Sequence, residues 1–168
     1  PTLGFLGREW QRKGLRRLVQ IFRELQSRMP EARLVLGGMP QDAVSSLVLG
    51  LEQNIDFLGE VRDKEGFYSR INLLVHPASL EAFGMVVTEA MARGIPVLVS
   101  DQTGAASEVG AMQGQVLSLA SSNKDWAAAA QRLCVSTLSD TEIYRRSWGQ
   151  VAAEYVQVYQ QALKEKGK

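Results

Sequence analysis

The chain has 168 residues, of which 45% are hydrophobic, and its formal net charge is +1. This length and composition predict one globular domain with a buried core. The near-neutral charge provides no global field that would attract nucleic acid or a membrane surface, so we expect no nucleic-acid partner.

Residue usage excludes several kinds of site. The single cysteine, Cys134, cannot form an intramolecular disulfide, is typical of a reducing compartment, and lies in an apolar helical pattern that indicates a small core residue. The sequence has no His/Cys cluster for zinc, and we expect no metal or other cofactor. No apolar run reaches the roughly 18–20 residues that span a bilayer. We therefore expect a cytoplasmic domain, and the strand-like start at Pro1 suggests that it was cut from a longer protein.

Short apolar segments alternate with amphipathic segments along the chain. Strands are predicted at "TLGFLG", "ARLVLGG", "IDFLG", "NLLVHP", "IPVLVS" and "GQVLSL". Helices are predicted from Leu15 to Pro30, over residues 41–51, at "DKEGFYSRI" with Asp63 as its N-cap, at "FGMVVTEAMARG" between Gly84 and a C-terminal Gly94, and from about Lys124 and Thr141.

The strands are almost continuously apolar, which indicates a sheet covered on both faces. Their alternation with helices makes the sheet parallel with right-handed crossovers. The predicted fold is an α/β, Rossmann-like, doubly wound parallel sheet. Such folds bind ligands outside the carboxyl ends of the strands, and these ends are rich in glycine and polar residues here: "LGREW", "LGGMPQ", "LGEV", "HPASLEAFG" and "SDQTGAAS".

A basic cluster surrounds the start of the first helix. It comprises Arg8, Arg12, Lys13, Arg16 and Arg17. Because a helix N-terminus is already partly positive, cations there are unfavourable and indicate a bound anion, most naturally a diphosphate. Arg8 and Lys13 lie in the loop and are the candidate ligands, whereas Arg16 and Arg17 are expected to form a solvated face. The loop is neither a G-x-G-x-x-G nor a Walker A motif, so nothing indicates a dinucleotide cofactor or phosphoryl transfer from ATP.

A second motif, "EAFGMVVTE", places Glu81 in the loop before a helix and Glu89 inside that helix. Two carboxylates suit sugar hydroxyls, and the free amides at Phe83, Gly84 and Met85 suit phosphate or sugar oxygens. Each acid also has a purely structural interpretation. Glu81 would be a helix N-terminal acid, and Glu89 would pair with an arginine four residues later, at position 93.

Taken together, these motifs resemble the C-terminal, donor-binding domain of GT-B glycosyltransferases of the family 4 type, the retaining glycosyltransferase group 1. The resemblance covers nearly all of the chain through "FLGREWQRKGL", "LVLGG", "FLGEV", "HPASLEAFGMVVTEAMARGIPVLVS", "GAASEV" and "SWGQVAAEYVQVYQQAL". Glu81 and Glu89 match the family's E-x7-E motif. The variants "EWQRKGL" and "HPA" are similar to bacterial lipopolysaccharide-core and envelope-glycan transferases.

The resemblance implies roles for residues at these loops. Arg8 and Lys13 would bind the nucleotide diphosphate and stabilise its departing charge without a metal, and Glu81 would hold the transferred sugar. Glu89 would accept hydrogen bonds from the ribose, and Arg12 would assist Lys13. The substrate-binding residues implied are Gly7, Arg12, Gly38, Glu60, Val61, Phe83, Gly84, Met85 and Glu89, with Gly38 and the backbone of Glu60 and Val61 beside the base.

The resemblance also implies substrates and a missing partner. The donor would be a nucleotide diphosphate sugar, with a UDP-hexose expected, and the acceptor a glycan or a lipid-linked molecule. The acceptor belongs to an N-terminal GT-B domain that is absent from this chain, so the chain alone should bind donor but hardly turn it over. The parent enzyme could work at the inner face of the bacterial membrane. The chain departs from the family's frequent Gly-Gly at Gly104 followed by Ala105, and its single histidine, His76, is interpreted as structural.

Two other functions remain as alternatives. A non-enzymatic switch module of receiver type has this fold class, but it needs aspartates clustered at strand ends for Mg²⁺, and the first strand ends in Gly7 and Arg8. A sugar-nucleotide epimerase or phosphorylase domain would also show this architecture. Product analysis on the full-length parent separates them, because only a transferase glycosylates an acceptor and releases nucleotide diphosphate.

Overall fold

The computed structural model describes residues 1–136 and 143–166, and it contains a sheet of six parallel strands in the order β3-β2-β1-β4-β5-β6. The strands are β1 (Thr2–Leu6), β2 (Arg33–Gly37), β3 (Ile55–Gly59), β4 (Leu73–His76), β5 (Val97–Ser100) and β6 (Gly114–Leu117). The described helices are α1 (Leu15–Gln26), α2 (Lys64–Tyr68), α3 (Met85–Met91), α4 (Asn123–Leu133) and α5 (Trp148–Lys166). The predicted doubly wound α/β fold is confirmed, since this is the strand order of Rossmann-like sheets.

Alternate residues of the four central strands, β2, β1, β4 and β5, enter separate cores on the two faces of the sheet. Leu34 and Leu36 of β2 pack in the core that contains α1 and α4, whereas Val35 packs in the core of α2 and α3. In β5, Leu98 joins the first core and its two neighbours join the second. Successive side chains of a strand point to opposite faces, so a sheet covered on both sides needs apolar residues at every position.

Arg17 differs from its predicted place on a solvated face. Its guanidinium lies over the ring of the fully buried Trp126, 5.3 Å from the centroid, and donates a hydrogen bond to the Leu119 carbonyl at 2.6 Å. Arg17 therefore ties α1 to the segment before α4, while Arg16 is exposed as expected. The partly buried position of Arg17 has a physical cause, because a planar guanidinium can stack on an aromatic face while its N–H groups donate hydrogen bonds to backbone oxygens.

The helix predicted over residues 41–51 does not form. The segment contains one short 3-10 helix, Ser45–Leu47, and turns, and a second 3-10 helix follows at Glu52–Asn54. Val44, Val48 and Leu51 are buried, so the apolar spacing that suggested a helix serves the core instead. Two serines and two β-branched valines lower helix propensity, and a glycine with a φ of 78° ends the segment at position 50.

The ends of α3 and α5 follow local hydrogen bonds. At the end of α3 the Ile95 amide donates to the Ala90 carbonyl at 3.0 Å, and Gly94 has a φ of 70°, so Gly94 terminates the helix as predicted. The last helix begins at Trp148, whereas the predicted start, Thr141, lies outside the described residues. Ser147 caps it, with the Gln150 amide donating to Oγ at 3.2 Å and the Ser147 amide donating to the Gln150 side chain at 2.7 Å.

Helix α5 is exposed along almost its whole length, including Trp148, Tyr155, Tyr159 and Leu163. Even so, among residues 1–136 and 143–166 no helix combines the length and apolarity that crossing a membrane would require.

Candidate functional site

The strand order reverses between β1 and β4, and the loops after these strands are joined at the carboxyl edge of the sheet. The backbone of Gly14, at a φ of 83°, lies against Pro77, and a Cβ on Gly14 would be 2.0 Å from the Pro77 carbonyl oxygen. The Ser79 amide donates to the Arg12 carbonyl at 2.9 Å. These contacts hold Lys13, beside Gly14, over the loop that carries Glu81.

Glycines bring the ends of β1 and β2 into backbone contact. A Cβ on Gly38, which has a φ of 95°, would lie 2.8 Å from the Gly7 carbonyl carbon. The aliphatic stem of Lys13 covers Gly7 on another side, because a Cβ there would lie 2.4 Å from the Lys13 Cδ. Larger residues at positions 7 and 38 would push these segments apart.

A cavity of about 160 Å³ opens beside these glycines. Its lining residues are Leu6, Gly7, Arg8, Lys13, Gly38, Glu60, Val61, Lys64 and Val86. The structure therefore brings six of the sequence-predicted residues together at one place. Three lining residues were not predicted: Leu6, Lys64 and Val86. Lys64 is a cation in the first turn of α2, the same unfavourable placement that drew attention to the basic cluster after β1.

A larger cavity, of about 560 Å³, lies between the start of α1 and the segment before α4. Arg16, Arg17, Ser79 and Asn123 are among its lining residues. We place the candidate site at the smaller cavity, because that cavity lies where the carboxyl ends of β1, β2 and β3 meet and is lined by the three cations described next.

Three cations at this edge each contact a carboxylate. Arg8 Nη2 lies 3.2 Å from Glu60 Oε1, and this pair is largely exposed. Lys13 Nζ lies 3.2 Å from Glu81 Oε2, with both side chains mostly buried. The third pair joins Lys64 Nζ to Glu89 Oε1 at 2.5 Å. An anion that enters the site can take these cations from their partners, and each carboxylate then becomes available as a hydrogen-bond acceptor.

Of the three ion pairs, the one at Glu81 is the most buried, and Glu81 Oε2 lies at its centre. Besides Lys13, it has Arg12 Nη1 at 4.0 Å and His76 Nε2 at 3.8 Å. Arg12 is held in place, because its guanidinium donates to Glu9 Oε2 at 2.8 Å and to the Leu80 carbonyl at 2.5 Å. The hydrogen bond to Glu9 raises the pKa of Arg12 further.

His76 is almost completely buried at the end of β4, with 1% of its surface exposed. Burial, followed by the positive charge of Lys13, lowers the pKa of His76 from 6.5 to about 4. The imidazole is therefore neutral at pH 7.

The segment that carries Glu81 runs beside the loop after β5. The Gly104 amide donates to the Glu81 carbonyl at 2.9 Å, and the Ala105 amide donates to the Phe83 carbonyl at 2.7 Å. A Cβ on Gly104 would lie 2.1 Å from the carbonyl oxygen of residue 82, so glycine is required there, whereas the buried Ala105 fits without a second glycine. The close approach of the two loops is thus kept despite the departure from Gly-Gly.

Backbone amides are available where α3 begins. Gly84 has a φ of 88°, and in the described part of the chain the amides of Phe83, Gly84, Met85 and Val86 donate no backbone or side-chain hydrogen bond. The side chains of Phe83 and Met85 instead face a separate cavity of about 570 Å³ beside Trp148. Only the backbone of these two residues can serve the candidate site as predicted.

Glu89 does not make the side-chain pair with Arg93 that its spacing suggested. Its carboxylate contacts Lys64 and accepts a hydrogen bond from the Tyr68 hydroxyl at 2.8 Å, while Arg93 donates to the Glu89 carbonyl at 2.8 Å and pairs with Glu65. Burial and the hydrogen bond to Glu89 raise the pKa of Tyr68. Glu89 itself does not line the cavity, but it contacts Lys64, which does.

Among residues 1–136 and 143–166 no three His, Cys, Asp or Glu side chains lie together as they would around a metal ion.

Comparison with known proteins identifies relatives. The family model described as "Glycosyl transferases group 1" matches residues 1–136. The capsular polysaccharide biosynthesis glycosyltransferase CapM of Staphylococcus aureus is 31% identical over 113 residues, which cover 64% of this chain and 30% of CapM. The crystal structure of WaaG, a glycosyltransferase involved in lipopolysaccharide biosynthesis, has a TM-score of 0.70 and 25% identity over 80% of this chain and 38% of WaaG.

A further solved structure shares the fold. HepE of Anabaena, crystallised in complex with UDP-glucose, has a TM-score of 0.66 and 23% identity over 79% of this chain and 40% of HepE. The chain thus spans less than half the length of each of these relatives.

Proposed function

The chain belongs to the glycosyl transferases group 1 family, and from this premise we propose that it is the C-terminal, donor-binding domain of a retaining GT-B glycosyltransferase. The observation that carries the proposal is the buried Lys13–Glu81 pair, 3.2 Å apart, at the point where the strand order reverses. A hexose carried on UDP is the donor we propose, supported by the UDP-glucose complex of HepE. The involvement of WaaG in lipopolysaccharide biosynthesis favours a bacterial glycan or lipid-linked acceptor at the cytoplasmic face of the membrane.

Donor binding begins with an exchange of ionic partners. The diphosphate takes Lys13 from Glu81 and Arg8 from Glu60, since phosphate oxygens accept strong charge-assisted hydrogen bonds. The free amides of Phe83, Gly84 and Met85 donate to the β-phosphate. Gly38, with the backbone of residues 60 and 61, borders the base at the far end of the cavity.

The same exchange supplies the chemistry. As the bond between the sugar C1 and the phosphate oxygen breaks, its electron pair goes to the leaving diphosphate, and Lys13 and Arg8 stabilise that charge without a metal. Glu81, released by Lys13, accepts hydrogen bonds from the sugar hydroxyls, and Glu89 accepts them from the ribose. The hydroxyl of the acceptor, which the N-terminal domain of the parent binds, forms the new bond to C1, and its proton passes to the leaving phosphate oxygen. This chain alone therefore binds donor and turns over little of it.

Titration calorimetry of the chain with UDP, GDP and ADP in EDTA tests the donor site. We expect one diphosphate to bind with a Kd on the order of 0.1–1 mM, because half of the cleft is absent. Lys13→Ala should weaken that binding about tenfold, the lower end of the range for a charge-assisted bond, since Lys13 gives up Glu81 in exchange. Arg16→Ala is the matched control, because Arg16 is an exposed cation that does not line the smaller cavity.

Two results would contradict the donor site. One is that none of the three diphosphates binds to the folded chain. The other is that Lys13→Ala and Arg16→Ala weaken binding equally. That result would mean that binding depends only on the net positive charge of the chain.

Ribose recognition gives a separate prediction for Glu89. Glu89→Gln should weaken UDP binding about three- to tenfold through the loss of a charged acceptor, and should leave binding of 2′,3′-dideoxy-UDP unchanged. Comparing the two ligands by calorimetry isolates the ribose hydroxyls. Glu65→Gln is the control, because it removes the carboxylate that links α2 to the end of α3 through Arg93, while Glu65 does not line the smaller cavity, so both ligands should bind unchanged. Equal losses for both ligands would show that Glu89 acts only by holding α2 against α3.

A further inference from the structure

Two buried polar atoms face each other beside the proposed donor site. His76 Nε2 and Glu81 Oε2 lie 3.8 Å apart, and neither has a hydrogen-bond partner within the described residues. The side chains are 1% and 12% exposed, so water does not readily supply the missing bonds. Buried polar atoms without hydrogen bonds are rare and costly, and in the described part of the chain Glu81 Oε2 has only its ion pairs whereas His76 Nε2 has no other partner than this oxygen.

The charged groups around this pair come from the loop after β1. Lys13 Nζ lies 3.2 Å and Arg12 Nη1 4.0 Å from the same Glu81 oxygen. Arg12 is fixed by Glu9 and by the Leu80 carbonyl. When Lys13 moves to a diphosphate, Glu81 Oε2 loses its nearest cation, and the group placed to replace it is the His76 imidazole.

We propose that His76 is a positioning residue, whose Nε2–H donates to Glu81 Oε2 once the diphosphate has drawn Lys13 away. This role rests on the proposed function of Lys13 and Glu81. The bond needs the 3.8 Å separation to close by about 1 Å, a small side-chain movement. It leaves Glu81 Oε1 for the sugar hydroxyls.

The neutral state of His76 suits this role. A neutral imidazole donates one hydrogen bond without adding a third positive charge beside Lys13 and Arg12. Burial and Lys13, which lower the pKa of His76 to about 4, keep it neutral at the pH of most cells.

The tautomer of His76 is a test that needs no ligand. The chain contains one histidine, so a long-range ¹H–¹⁵N correlation spectrum at pH 7 shows one imidazole and needs no assignment. We expect the neutral Nε2–H form. A neutral Nδ1–H form, with a bare Nε2 towards Glu81, would overturn the proposal.

Ligand binding tests the role itself. Calorimetric titrations with UDP and UDP-glucose compare the wild-type chain with His76→Leu, which removes the donor, and His76→Gln, whose amide N–H restores it. We expect His76→Leu to weaken UDP-glucose binding about five- to tenfold and UDP binding by less than twofold, because only the sugar depends on Glu81. His76→Gln should recover most of the loss.

The outcomes separate this proposal from the donor site. If the wild-type chain binds both ligands and His76→Leu weakens them equally or not at all, the positioning role is wrong and the donor site stands. If the wild-type chain binds neither ligand, the donor site is wrong and the role of His76 is rejected with it. Because His76→Gln keeps a polar group of similar reach, failure of the leucine variant to fold leaves the glutamine variant and the tautomer as tests.

Discussion

Gly14→Ala is expected to lower the free energy of unfolding by about 2–5 kcal/mol, measured by urea denaturation. A left-handed conformation costs a non-glycine residue roughly 1–2 kcal/mol, and Gly14 has a φ of 83°. The added methyl group would also lie 2.0 Å from the Pro77 carbonyl oxygen, and relieving such overpacking costs roughly 1–3 kcal/mol. Because the two loops are joined at this contact, UDP binding should weaken as Lys13 is displaced from the cavity that it lines.

Gly50→Ala provides the matched control for this prediction. Gly50 has a φ of 78°, nearly that of Gly14, but no atom lies within 4 Å of an added Cβ. It should therefore show only the conformational cost of about 1–2 kcal/mol and leave UDP binding unchanged. Equal losses in the two variants would mean that the contact with Pro77 does not hold the loops together.

Much of the fold could be predicted because the central strands are apolar on both faces. Leu34, Val35 and Leu36 give no two-residue alternation, and only a sheet buried on both sides accommodates such a run. The wrong prediction of a helix over residues 41–51 arises from the same kind of apolar pattern. Val44, Val48 and Leu51 have helical spacing, but three buried side chains in a short segment can equally be supplied by turns, and backbone propensity then decides.

The location of the candidate site could also be predicted, since parallel strands bring their carboxyl ends to one edge. Which of its charged side chains pair with one another could not be predicted. Spacing along one helix suggested that Glu89 pairs with Arg93, but the carboxylate turns to Lys64 and Tyr68 on α2. That choice depends on how α2 and α3 lie against the same face of the sheet, which is a tertiary arrangement that local periodicity does not contain.

The same limit explains the interpretation of His76. A single histidine before a proline, in an apolar strand, has no motif that distinguishes a core residue from a functional one. Only the fold shows that Nε2 lies 3.8 Å from Glu81, because residues 76 and 81 belong to a strand end and a loop that folds back over it.

The burial of His76 predicts that the chain becomes less stable as the pH falls from 7.5 to 5, with about 2 kcal/mol of the loss due to this residue. In the unfolded chain the imidazole takes up a proton below its ordinary pKa of 6.5, whereas in the folded chain it stays neutral until about pH 4. The contribution of neutral His76 to the free energy of unfolding is therefore complete above about pH 6.5 and is lost as the pH falls towards 4. At pH 5, about 1.5 pH units below the ordinary pKa, the unfolded state has gained about 2 kcal/mol.

Urea denaturation at the two pH values, on the wild-type chain and on His76→Gln, measures this contribution as a difference of differences. Lys13, Arg12 and Glu81, which face His76, are present in both proteins, as are all other carboxylates, so their own dependence on pH largely cancels. We expect the glutamine variant to lose about 2 kcal/mol less than the wild-type chain between pH 7.5 and pH 5. If the two proteins lose the same amount, His76 is protonated as readily in the folded chain as in the unfolded one. In that case the imidazole is not a neutral donor beside Lys13, and the exchange of partners at Glu81 would have to proceed without it.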